Sequence, residues 1–508
     1  MSLFNNLASW YLKKRMLQIE TFTKYPQETQ LEVFGRLIHT ADETAWGKNY
    51  GYRDIQSVRE FQDRVPISRY ERLFPYIERT LKGEKDVLWP GVIKWFSKSS
   101  GTTNDKSKFI PVSREALEDC HFKGGKDMLA LYLHNRPESQ LFTGKGLPIG
   151  GSHEINQLNS RSYYGDLSAV LIQNTPNVFN LFRATSKKTA LMGEWEGKIQ
   201  RIAEETRQQR ITNLGGVPTW TLVLINKLFE LTGTTSRNLL EIWPNLEVFF
   251  HGGVSFKPYR KQFEALIPGD QMRYFETYNA SEGFFGMQSE NDKDDLLLML
   301  DYGIFYEFIR LEDLDQDHPR AYTIAEVETD VTYAMVISTN GGLWRYLIGD
   351  TVRFTNLSPF KIKIAGRTKH FINAFGEELM VDNAETALEI ACEECGAILE
   401  NYTAAPIYFE AGSNGAHEWL VEFQQAPESV EAFAEVLDRE LKRLNSDYEA
   451  KRYKGIALRP PVFRSLPPGT FYKWMKSRGK LGGQNKVPRL ANERIYVDAI
   501  LEMVSVQA

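Results

Sequence analysis

A short stretch rich in hydroxyl side chains and glycine lies between an aromatic run and an apolar run. It reads FSKSSGTTNDKSK and contains Ser99, Ser100, Gly101, Thr102 and Thr103. Backbone amides in such a loop can converge on an anion, and hydroxyl groups add donors that fit phosphate oxygens. The stretch does not match the Walker A pattern G-x-x-x-x-G-K-[ST]. It is a candidate phosphate-binding loop, with a plain turn as the alternative.

Three later stretches contain residue types that suit the rest of a nucleotide. They read LEVFFHGGVSF, TYNASEG and LWRYLIGDTVRF. Gly252 and Gly253 would let a flat ring lie close to the backbone. Glu282 could hold a divalent cation or a phosphate-bound water, and Asp350 could accept hydrogen bonds from both ribose hydroxyls. Each also has a structural interpretation, as a β-bulge glycine pair, a surface glutamate and a turn aspartate.

The joint order of these motifs resembles the adenylate-forming superfamily of acyl-CoA synthetases, peptide-synthetase adenylation domains and luciferases. The matching segments are SSGTT, HGG, YNASE, GD and the hinge motif GRTK. Within that superfamily the chain looks most like the auxin-responsive promoter (Gretchen Hagen) family of acyl acid amido synthetases. The specific marks are FSKSSGTT, YNASEG, WRYLIGDTVRF and the C-terminal GGQNKVPRL. The resemblance covers nearly the whole chain.

The resemblance implies a two-step reaction by an AMP-forming acid–amino acid ligase. A carboxylic acid attacks the α-phosphate of ATP to give an acyl-adenylate and pyrophosphate. An amine, usually an amino acid, then displaces AMP. ATP and Mg²⁺ are therefore expected. The attack concentrates negative charge, so catalysis would rest on positioning and on electrostatic stabilisation by loop amides, Mg²⁺ and lysine.

The resemblance also implies a set of nucleotide-binding residues. Tyr278 would stack on the adenine, Ser281 and Glu282 would face the phosphate and Mg²⁺, and Arg367 would assist nucleotide binding. The full set, with Glu282 as the metal ligand, is Ser99, Ser100, Gly101, Thr102, Thr103, Gly252, Gly253, Tyr278, Ser281, Glu282, Asp350 and Arg367.

Thr102, Glu282 and Lys486 are the catalytic residues that the resemblance implies, and Lys369 would lie at the hinge. Lys486 follows a Gly-rich stretch near the C-terminus and would carry positive charge to the α-phosphate or the carboxylate, since lysine suits a mobile point charge. Spacing alone favours a solvated lysine instead, because other basic residues precede it: Lys473, Lys476, Arg478 and Lys480.

Two other functions remain as alternatives. The hinge segment GRTKHFINAFGEELM is closer to ordinary acyl-CoA synthetases than to plant members of the family, so coenzyme A could be the acceptor. A non-catalytic nucleotide-binding protein of the same fold is the second alternative, although the phosphate loop, the glutamate and the aspartate are all retained. Neither H-E-x-x-H nor G-x-S-x-G occurs, so metalloprotease and serine hydrolase functions find no support.

Aromatic residues between the phosphate loop and the glycine turn are candidates for the acid pocket. They are Tyr163, Tyr164, Phe179 and Phe182. Core packing is the alternative for each of them. If they line the pocket, a hydrophobic or aromatic acid is favoured, and indole, benzoate, jasmonate-like and aliphatic acids all stay candidates.

The pattern of apolar residues predicts an α/β protein with two domains. Residues 1–360 are expected to form a large N-terminal domain of sheets with packed helices and a distorted β-barrel part. Residues 361–508 are expected to form a smaller α+β domain, and the resemblance implies that this domain is mobile. Helical periodicity predominates up to Ile93, and β-rich runs occupy Leu296 to Phe354, where the sheet region is predicted to end. Further helices are predicted at Asp382 to Gly396 and Ser429 to Lys451.

Composition matches an ordinary globular protein. With 61 basic and 66 acidic residues the net charge is −5, which gives no general attraction to nucleic acid or anionic membranes. No apolar run reaches the length of a membrane span, and the N-terminus lacks a signal-peptide pattern. A cytoplasmic monomer is expected. The Cys392–Cys395 pair lies in a helical pattern without a second pair, which favours structural cysteines.

Overall fold

The computed structural model describes residues 3–99, 108–150, 155–253, 256, 259–291, 293–368, 371–372, 374, 379–407, 415–445, 448–449, 452, 458–480, 486–491 and 493–507. The described residues divide into two compact units. The first unit takes those within Met1–Gly253 and Gly269–Lys363. The second takes those within Val254–Pro268, Ile364–Leu481 and Asn485–Ala508. A segment from the middle of the chain thus belongs to the second unit.

Helices form most of the first part of the chain, as the periodicity predicts. The helices of the first unit are α1 (Leu3–Lys24), α2 (Pro26–Ala41), α3 (Ala45–Tyr50), α4 (Val58–Arg64), α5 (Tyr70–Leu81), α6 (Phe122–Asn135), α7 (Leu167–Asn174), α8 (Lys187–Ala190), α9 (Trp195–Thr206) and α10 (Pro218–Thr232). Side-chain caps define several starts: Thr44 accepts a hydrogen bond from Gly47 N–H, and Asp166 accepts one from Ala169 N–H. A π-helical turn at Ala116–His121 leads into α6.

Two sheets belong mainly to the first unit. A four-stranded sheet has the order β2 (Lys108–Val112), β1 (Trp95–Ser99), β5 (Tyr163–Gly165), β4 (Asn156–Gln157). A ten-stranded sheet has the order β11 (Ile304–Arg310), β12 (Thr332–Thr339), β13 (Tyr346–Leu357), β14 (Phe360–Arg367), β10 (Leu296–Leu298), β9 (Gly283–Gln288), β8 (Arg273–Ala280), β7 (Val248–Gly252), β6 (Ile211–Gly216), β3 (Lys145–Ile149).

The ten-stranded sheet is parallel at one end and antiparallel at the other. Strands β3, β6, β7 and β8 run parallel, with Ile149 beside Gly216 and Gly252 beside Thr277 in the register. From β8 onward the strands pair antiparallel. This holds for β8 with β9, β9 with β10, β10 with β14, β11 with β12 and β12 with β13. The carboxyl ends of the parallel strands meet at one edge, which is where ligands bind in open α/β sheets.

The sequence predictions for the β-rich region need two corrections. The described strands form an open sheet with β11 and β3 at its edges, and no closed barrel is present among them. The sheet also continues past Phe354, because β14 joins it and pairs with β10 through Leu296 and Ile362. The mixed α/β architecture, with a large N-terminal part built on sheets and a smaller C-terminal part, is confirmed.

A buried ion pair anchors the start of β13 to the interior of the first unit. The Arg345 guanidinium donates two hydrogen bonds to Glu307, at 2.9 and 3.0 Å, and two more to the carbonyl oxygens of Gln62 and Val65. Arg345 is 4% exposed and Glu307 is fully buried. Hydrogen bonds to both charged groups offset the cost of removing this ion pair from water. Arg345 therefore fixes the strand that carries Asp350.

The second unit is an α+β arrangement. It contains α11 (Arg260–Leu266), α12 (Val381–Cys395), α13 (Val430–Leu444), α14 (Thr470–Ser477) and α15 (Ile495–Gln507). Its sheets have the orders β15 (Phe371–Ile372), β16 (Leu379–Met380) and β17 (Ile398–Ile407), β18 (Ala416–Gln425), β19 (Val462–Leu466). Apolar residues on opposite faces of β18 serve two cores, with Trp419 in one and Leu420 in the other.

Glu400, on β17, is a half-buried glutamate with a raised pKa. Burial and the nearby charge of Glu422 raise its pKa from 4.5 to about 7, while a hydrogen bond from Gln262 acts in the opposite direction. Between these two values the folded protein holds a proton that the unfolded chain has released. The free energy of unfolding should therefore fall as the pH rises through this window.

We expect Glu400→Gln to raise the free energy of unfolding by about 2 kcal/mol at pH 8 and to have no effect below pH 4. The neutral amide avoids the cost of burying a charge. Denaturant unfolding across pH checks this, with Glu428→Gln, at an exposed glutamate of the same unit, as control. A pH dependence identical in wild type and Glu400→Gln would show that Glu400 ionises normally.

Candidate active site

The predicted phosphate loop connects two paired strands. Strands β1 and β2 are antiparallel, and their last register pair is Ser99 with Lys108. The Phe109 N–H donates to the Tyr70 hydroxyl at 2.8 Å, which ties β2 to helix α5. The other four loop residues lie outside the described residues: Ser100, Gly101, Thr102 and Thr103. The structure thus fixes where the loop begins and ends.

The YNASE motif forms a two-residue turn between β8 and β9. Ala280 and Gly283 are paired across the strands, so Ser281 and Glu282 occupy the turn. Ser281 is buried, and Glu282 is half-buried. The hydroxyl of Ser97, in the centre of β1, donates to the Ser281 Oγ at 2.9 Å. This bond brings the strand that leads into the phosphate loop against the turn that carries Glu282.

The two glycines of the HGG motif have different structural reasons to be glycine. A Cβ on Gly252 would lie 2.4 Å from the Thr277 carbonyl oxygen, so only glycine permits this approach of β7 to β8. Gly253 has a φ of 80°, a conformation that side chains disfavour. Strand β7 therefore ends at Gly252, and the chain bends at Gly253. Its predicted place beside adenine stays a prediction.

Asp350 lies on a bulge of β13. Between the pairs Ala334–Thr351 and Val336–Leu347 one residue of β12 faces three residues of β13. Gly349, within the bulge, has a φ of 92°. Bulges redirect side chains next to active sites. Here the Asp350 carboxylate accepts a hydrogen bond from the Tyr278 hydroxyl at 2.7 Å, so the predicted ribose ligand and the predicted adenine ligand are in contact.

The C-terminal motif NKVPRL is partly docked on β17. Ala404 N–H donates to the Arg489 carbonyl oxygen at 2.9 Å, and Thr403 Oγ1 donates to the Pro488 carbonyl oxygen at 2.6 Å. The Arg489 side chain donates to the Tyr259 hydroxyl at 2.7 Å. Lys486, just before this anchored segment, is exposed.

The structure describes only part of the hinge motif GRTK. Arg367 is the last residue of β14, and its side chain lies outside what the structure describes. Lys369 lies outside the described residues. Their predicted roles stay predictions.

Sequence reasoning missed Ser97 and Arg489. Ser97 carries a weak signal, because side chains alternate along a strand and Ser97 therefore shares a face with Ser99. Arg489 gave no signal for a structural role, since its partner Tyr259 is distant in sequence. The resemblance placed Arg489 in the C-terminal family motif GGQNKVPRL, which pointed to a role in the reaction and not in packing.

The four aromatic residues proposed for the acid pocket do not form one cluster in the described contacts. Tyr163 and Tyr164 are adjacent on β5 and therefore point to opposite faces. Tyr163 packs on Trp95 and Tyr164 packs on Phe109, each with 5.3 Å between ring centroids. Phe179 is 46% exposed, and Phe182 contacts Phe142. Each tyrosine therefore packs on an aromatic residue of the four-stranded sheet, and both are half-buried.

Two titratable groups behind β9, Cys120 and His121, are neutral near pH 7. Cys120 Sγ accepts a hydrogen bond from the Phe284 N–H at 3.2 Å. Burial raises the pKa of the Cys120 thiol to about 12 and lowers the pKa of His121 to about 4.

The cysteine pair on α12 is also protonated. Burial raises the pKa of Cys392 to about 12 and raises the pKa of Cys395. Within the described part of the chain, no group of three or more His, Cys, Asp or Glu side chains could hold a metal ion. No helix within that part is long and apolar enough to cross a membrane.

Removal of the Ser97 hydroxyl should weaken the contact between β1 and the β8–β9 turn. We expect Ser97→Ala to lower the free energy of unfolding by about 1 kcal/mol, the usual worth of one hydrogen bond, because a buried Ser281 hydroxyl loses its partner. Urea denaturation measures this. Ser236→Ala, at an exposed serine of the first unit, is the control, and equal stability of the two variants would contradict the importance of the contact.

Family models match most of the chain. They are described as the GH3 family N-terminal domain (residues 15–272), the GH3 family central domain (297–367) and the GH3 family C-terminal domain (382–495).

Curated relatives match over nearly the full length. An indole-3-acetic acid-amido synthetase, GH3.3 of Arabidopsis thaliana, is 23% identical, and the match covers 94% of this chain and 91% of the relative. A jasmonoyl–L-amino acid synthetase, JAR4 of Nicotiana attenuata, is 22% identical over 93% and 92% of the two chains.

Solved structures share the fold. The acyl acid amido synthetase AtGH3.15 in complex with 2,4-DB superimposes with a TM-score of 0.80 at 16% identity, covering 97% of this chain and 96% of the other. A 2-hydroxyisobutyryl-CoA ligase in the postadenylation state gives a TM-score of 0.58 at 13% identity, covering 94% and 91%. The chain therefore has the fold of an adenylate-forming enzyme.

Proposed function

Because this chain belongs to the GH3 family, we propose that it is an ATP-dependent acyl acid amido synthetase. In the first step a carboxylate oxygen of the acid attacks the α-phosphorus of ATP, and the bond to pyrophosphate breaks. In the second step an amine nitrogen, preferably of an amino acid, attacks the acyl carbon. The bond to AMP breaks, AMP leaves and the nitrogen loses a proton.

One observation supports this function most strongly. Two buried hydrogen bonds, from Ser97 to Ser281 and from Tyr278 to Asp350, connect three motifs that are far apart in the sequence. They bring together the strand that enters the phosphate loop, the turn with Glu282 and the predicted ribose ligand. An adenylate-forming site needs phosphate, metal and ribose groups within the span of one nucleotide.

The chain's own residues would bind and orient the reactants. Residues 99–103 would hold the phosphates through amides and hydroxyls, and Asp350 would accept hydrogen bonds from the ribose. Lys486 would place positive charge at the α-phosphate during adenylation. Residues 1–360 would carry the ATP and acid sites, and residues 361–508 would serve as a mobile lid with its hinge at Lys369.

Mg²⁺ fits the residues that surround the predicted phosphate position. Mg²⁺ usually binds through one or two carboxylates together with substrate phosphates. Glu282, half-buried on a turn beside the buried Ser281 hydroxyl, offers such a carboxylate. When bound, the ion would neutralise negative charge on the nucleotide phosphates.

The proposed function extends to the acid substrate, the cellular location and the oligomeric state of the enzyme. The acid is a small-molecule carboxylic acid. The half-buried Tyr163 and Tyr164 stay candidates for the pocket that binds it. We place the enzyme in the cytoplasm as a monomer without nucleic acid or membrane partners.

Acid-dependent exchange of labelled pyrophosphate into ATP tests the first step. The purified chain, Mg²⁺ and a panel of indole, benzoate, jasmonate-like and aliphatic acids would be incubated without an amine. We expect exchange with a subset of the acids and none without acid. ATP binding without exchange for any acid would contradict the adenylation step and favour a non-catalytic nucleotide-binding protein.

A further inference from the structure

We propose that Tyr278 is a positioning residue whose hydroxyl holds the Asp350 carboxylate in the orientation that binds the ribose of ATP. The inference rests on the proposed function, because it concerns how the nucleotide site of that enzyme is built. It assigns to the tyrosine a task distinct from stacking on adenine.

The burial of the tyrosine supports this task. Tyr278 is 5% exposed and belongs to the main core of the first unit. Its ring packs at a tilt on Phe285, with 4.9 Å between the centroids. Its hydroxyl donates to Asp350 Oδ2 at 2.7 Å, and Asp350 is 7% exposed. A hydrogen bond to a buried carboxylate is stronger than one between neutral groups, so the hydroxyl strongly constrains the carboxylate.

The same bond connects distant parts of one sheet. Strands β8 and β13 are separated by β9, β10 and β14 in the sheet order. In a flat sheet two strands four positions apart would lie about 19 Å from each other. A side-chain contact between them requires the sheet to curl strongly. The Tyr278–Asp350 bond therefore crosses the concave side of the sheet and holds Asp350 close to the β8–β9 turn.

The position of Asp350 explains why it needs such a restraint. It lies on a bulge, where the regular ladder between β12 and β13 is interrupted. Gly349, immediately before it, lacks the side chain that would restrict its backbone. The hydrogen bond from Tyr278 restricts the rotamers of the carboxylate. An acceptor that is ordered before the nucleotide arrives lowers the entropy cost of binding.

Nucleotide binding by calorimetry tests the inference without requiring turnover. The full chain would be titrated with ATP, 2′-deoxy-ATP and 3′-deoxy-ATP. We expect wild type to prefer ATP over each deoxy analogue by about tenfold or more, as for a hydrogen bond to a charged group. Tyr278→Phe keeps the ring and should reduce this preference to about twofold.

Tyr302→Phe is the matched control. The Tyr302 hydroxyl also donates to a buried aspartate, Asp127, at 2.7 Å, and belongs to the same unit. It should lose stability like Tyr278→Phe and keep the ATP preference of wild type. Asp350→Asn, which leaves Tyr278 intact, should lose the preference as Tyr278→Phe does. The double variant should lose no more than either single one.

The outcomes separate the inference from the proposed function. If wild type fails to bind ATP, the proposed function fails and the inference fails with it. If wild type prefers ATP and Asp350→Asn does not, while Tyr278→Phe keeps the full preference, the proposed function stands and the positioning role is wrong. A wild type that binds the deoxy analogues as tightly as ATP would also overturn the inference.

Discussion

Replacement of Asp350 by alanine should lower kcat/KM for ATP by about 10²- to 10⁴-fold with every acid that the enzyme accepts. Two hydrogen bonds from ribose to a carboxylate are lost, and each is worth roughly 1.5–3 kcal/mol. The effect should be uniform across acids because the ribose ligand does not touch the acyl group in the proposed reaction. Acid-dependent pyrophosphate exchange at varied ATP concentrations measures it.

Two controls make the Asp350 result specific. Asp317→Ala removes an exposed aspartate of the same unit and should leave the exchange unchanged. Thermal unfolding of Asp350→Ala should show a modest loss of stability, because the buried Tyr278 hydroxyl loses its acceptor. An ATP dependence equal to that of wild type would rule out the ribose role.

Lys486→Ala should slow the adenylation step by about 10²–10³-fold, the usual cost of removing a group that stabilises charge in a transition state. ATP affinity should change little if the charge acts mainly as the α-phosphate is attacked. Single-turnover formation of the acyl-adenylate, measured by rapid quench, separates this step from amide transfer.

The structure supplies a suitable control for Lys486. Lys473 is another exposed lysine of the second unit, so Lys473→Ala removes the same charge from helix α14. It should keep the adenylation rate. The docking of residues 488–491 on β17 should survive in Lys486→Ala, since the bonds involve the backbone of Ala404, Pro488 and Arg489. A defect confined to amide transfer would assign Lys486 to the second step.

Local sequence signals predicted several elements well. The helix expected at Asp382 to Gly396 is observed at Val381–Cys395, with Gly396 in the left-handed conformation as its cap. The helix expected at Ser429 to Lys451 ends earlier, at Leu444. The reason is local: Asn445 leaves the helical conformation, and its side chain accepts a hydrogen bond from the Tyr448 N–H.

The geometry of the candidate site could not be predicted in the same way. Motif order indicated which segments take part. The contact between Tyr278 and Asp350, however, depends on how strongly a sheet of many strands curls, and this property emerges from the packing of the whole unit. The same applies to the Ser97–Ser281 bond, which joins two different sheets. Sequence patterns carry little information on such long-range contacts.

The buried Arg345–Glu307 pair illustrates a motif residue with a structural task. The motif WRYLIGD helped to identify the family. The sequence alone did not show which of its residues support the fold and which bind the nucleotide. In the structure Trp344 donates to the Leu88 carbonyl oxygen at 3.0 Å, and Arg345 is enclosed by protein acceptors. Only Asp350 of this motif lies at the candidate site. Trp344 and Arg345, at the start of the motif, anchor the strand that carries Asp350.

Identification of the products by mass spectrometry tests the central claim most directly. The purified protein would be incubated with ATP, Mg²⁺, an acid that supports pyrophosphate exchange, an equimolar mixture of amino acids and coenzyme A. The account predicts an N-acyl amino acid together with AMP and pyrophosphate. Formation of an acyl-coenzyme A thioester instead, or of ADP and phosphate, would contradict it.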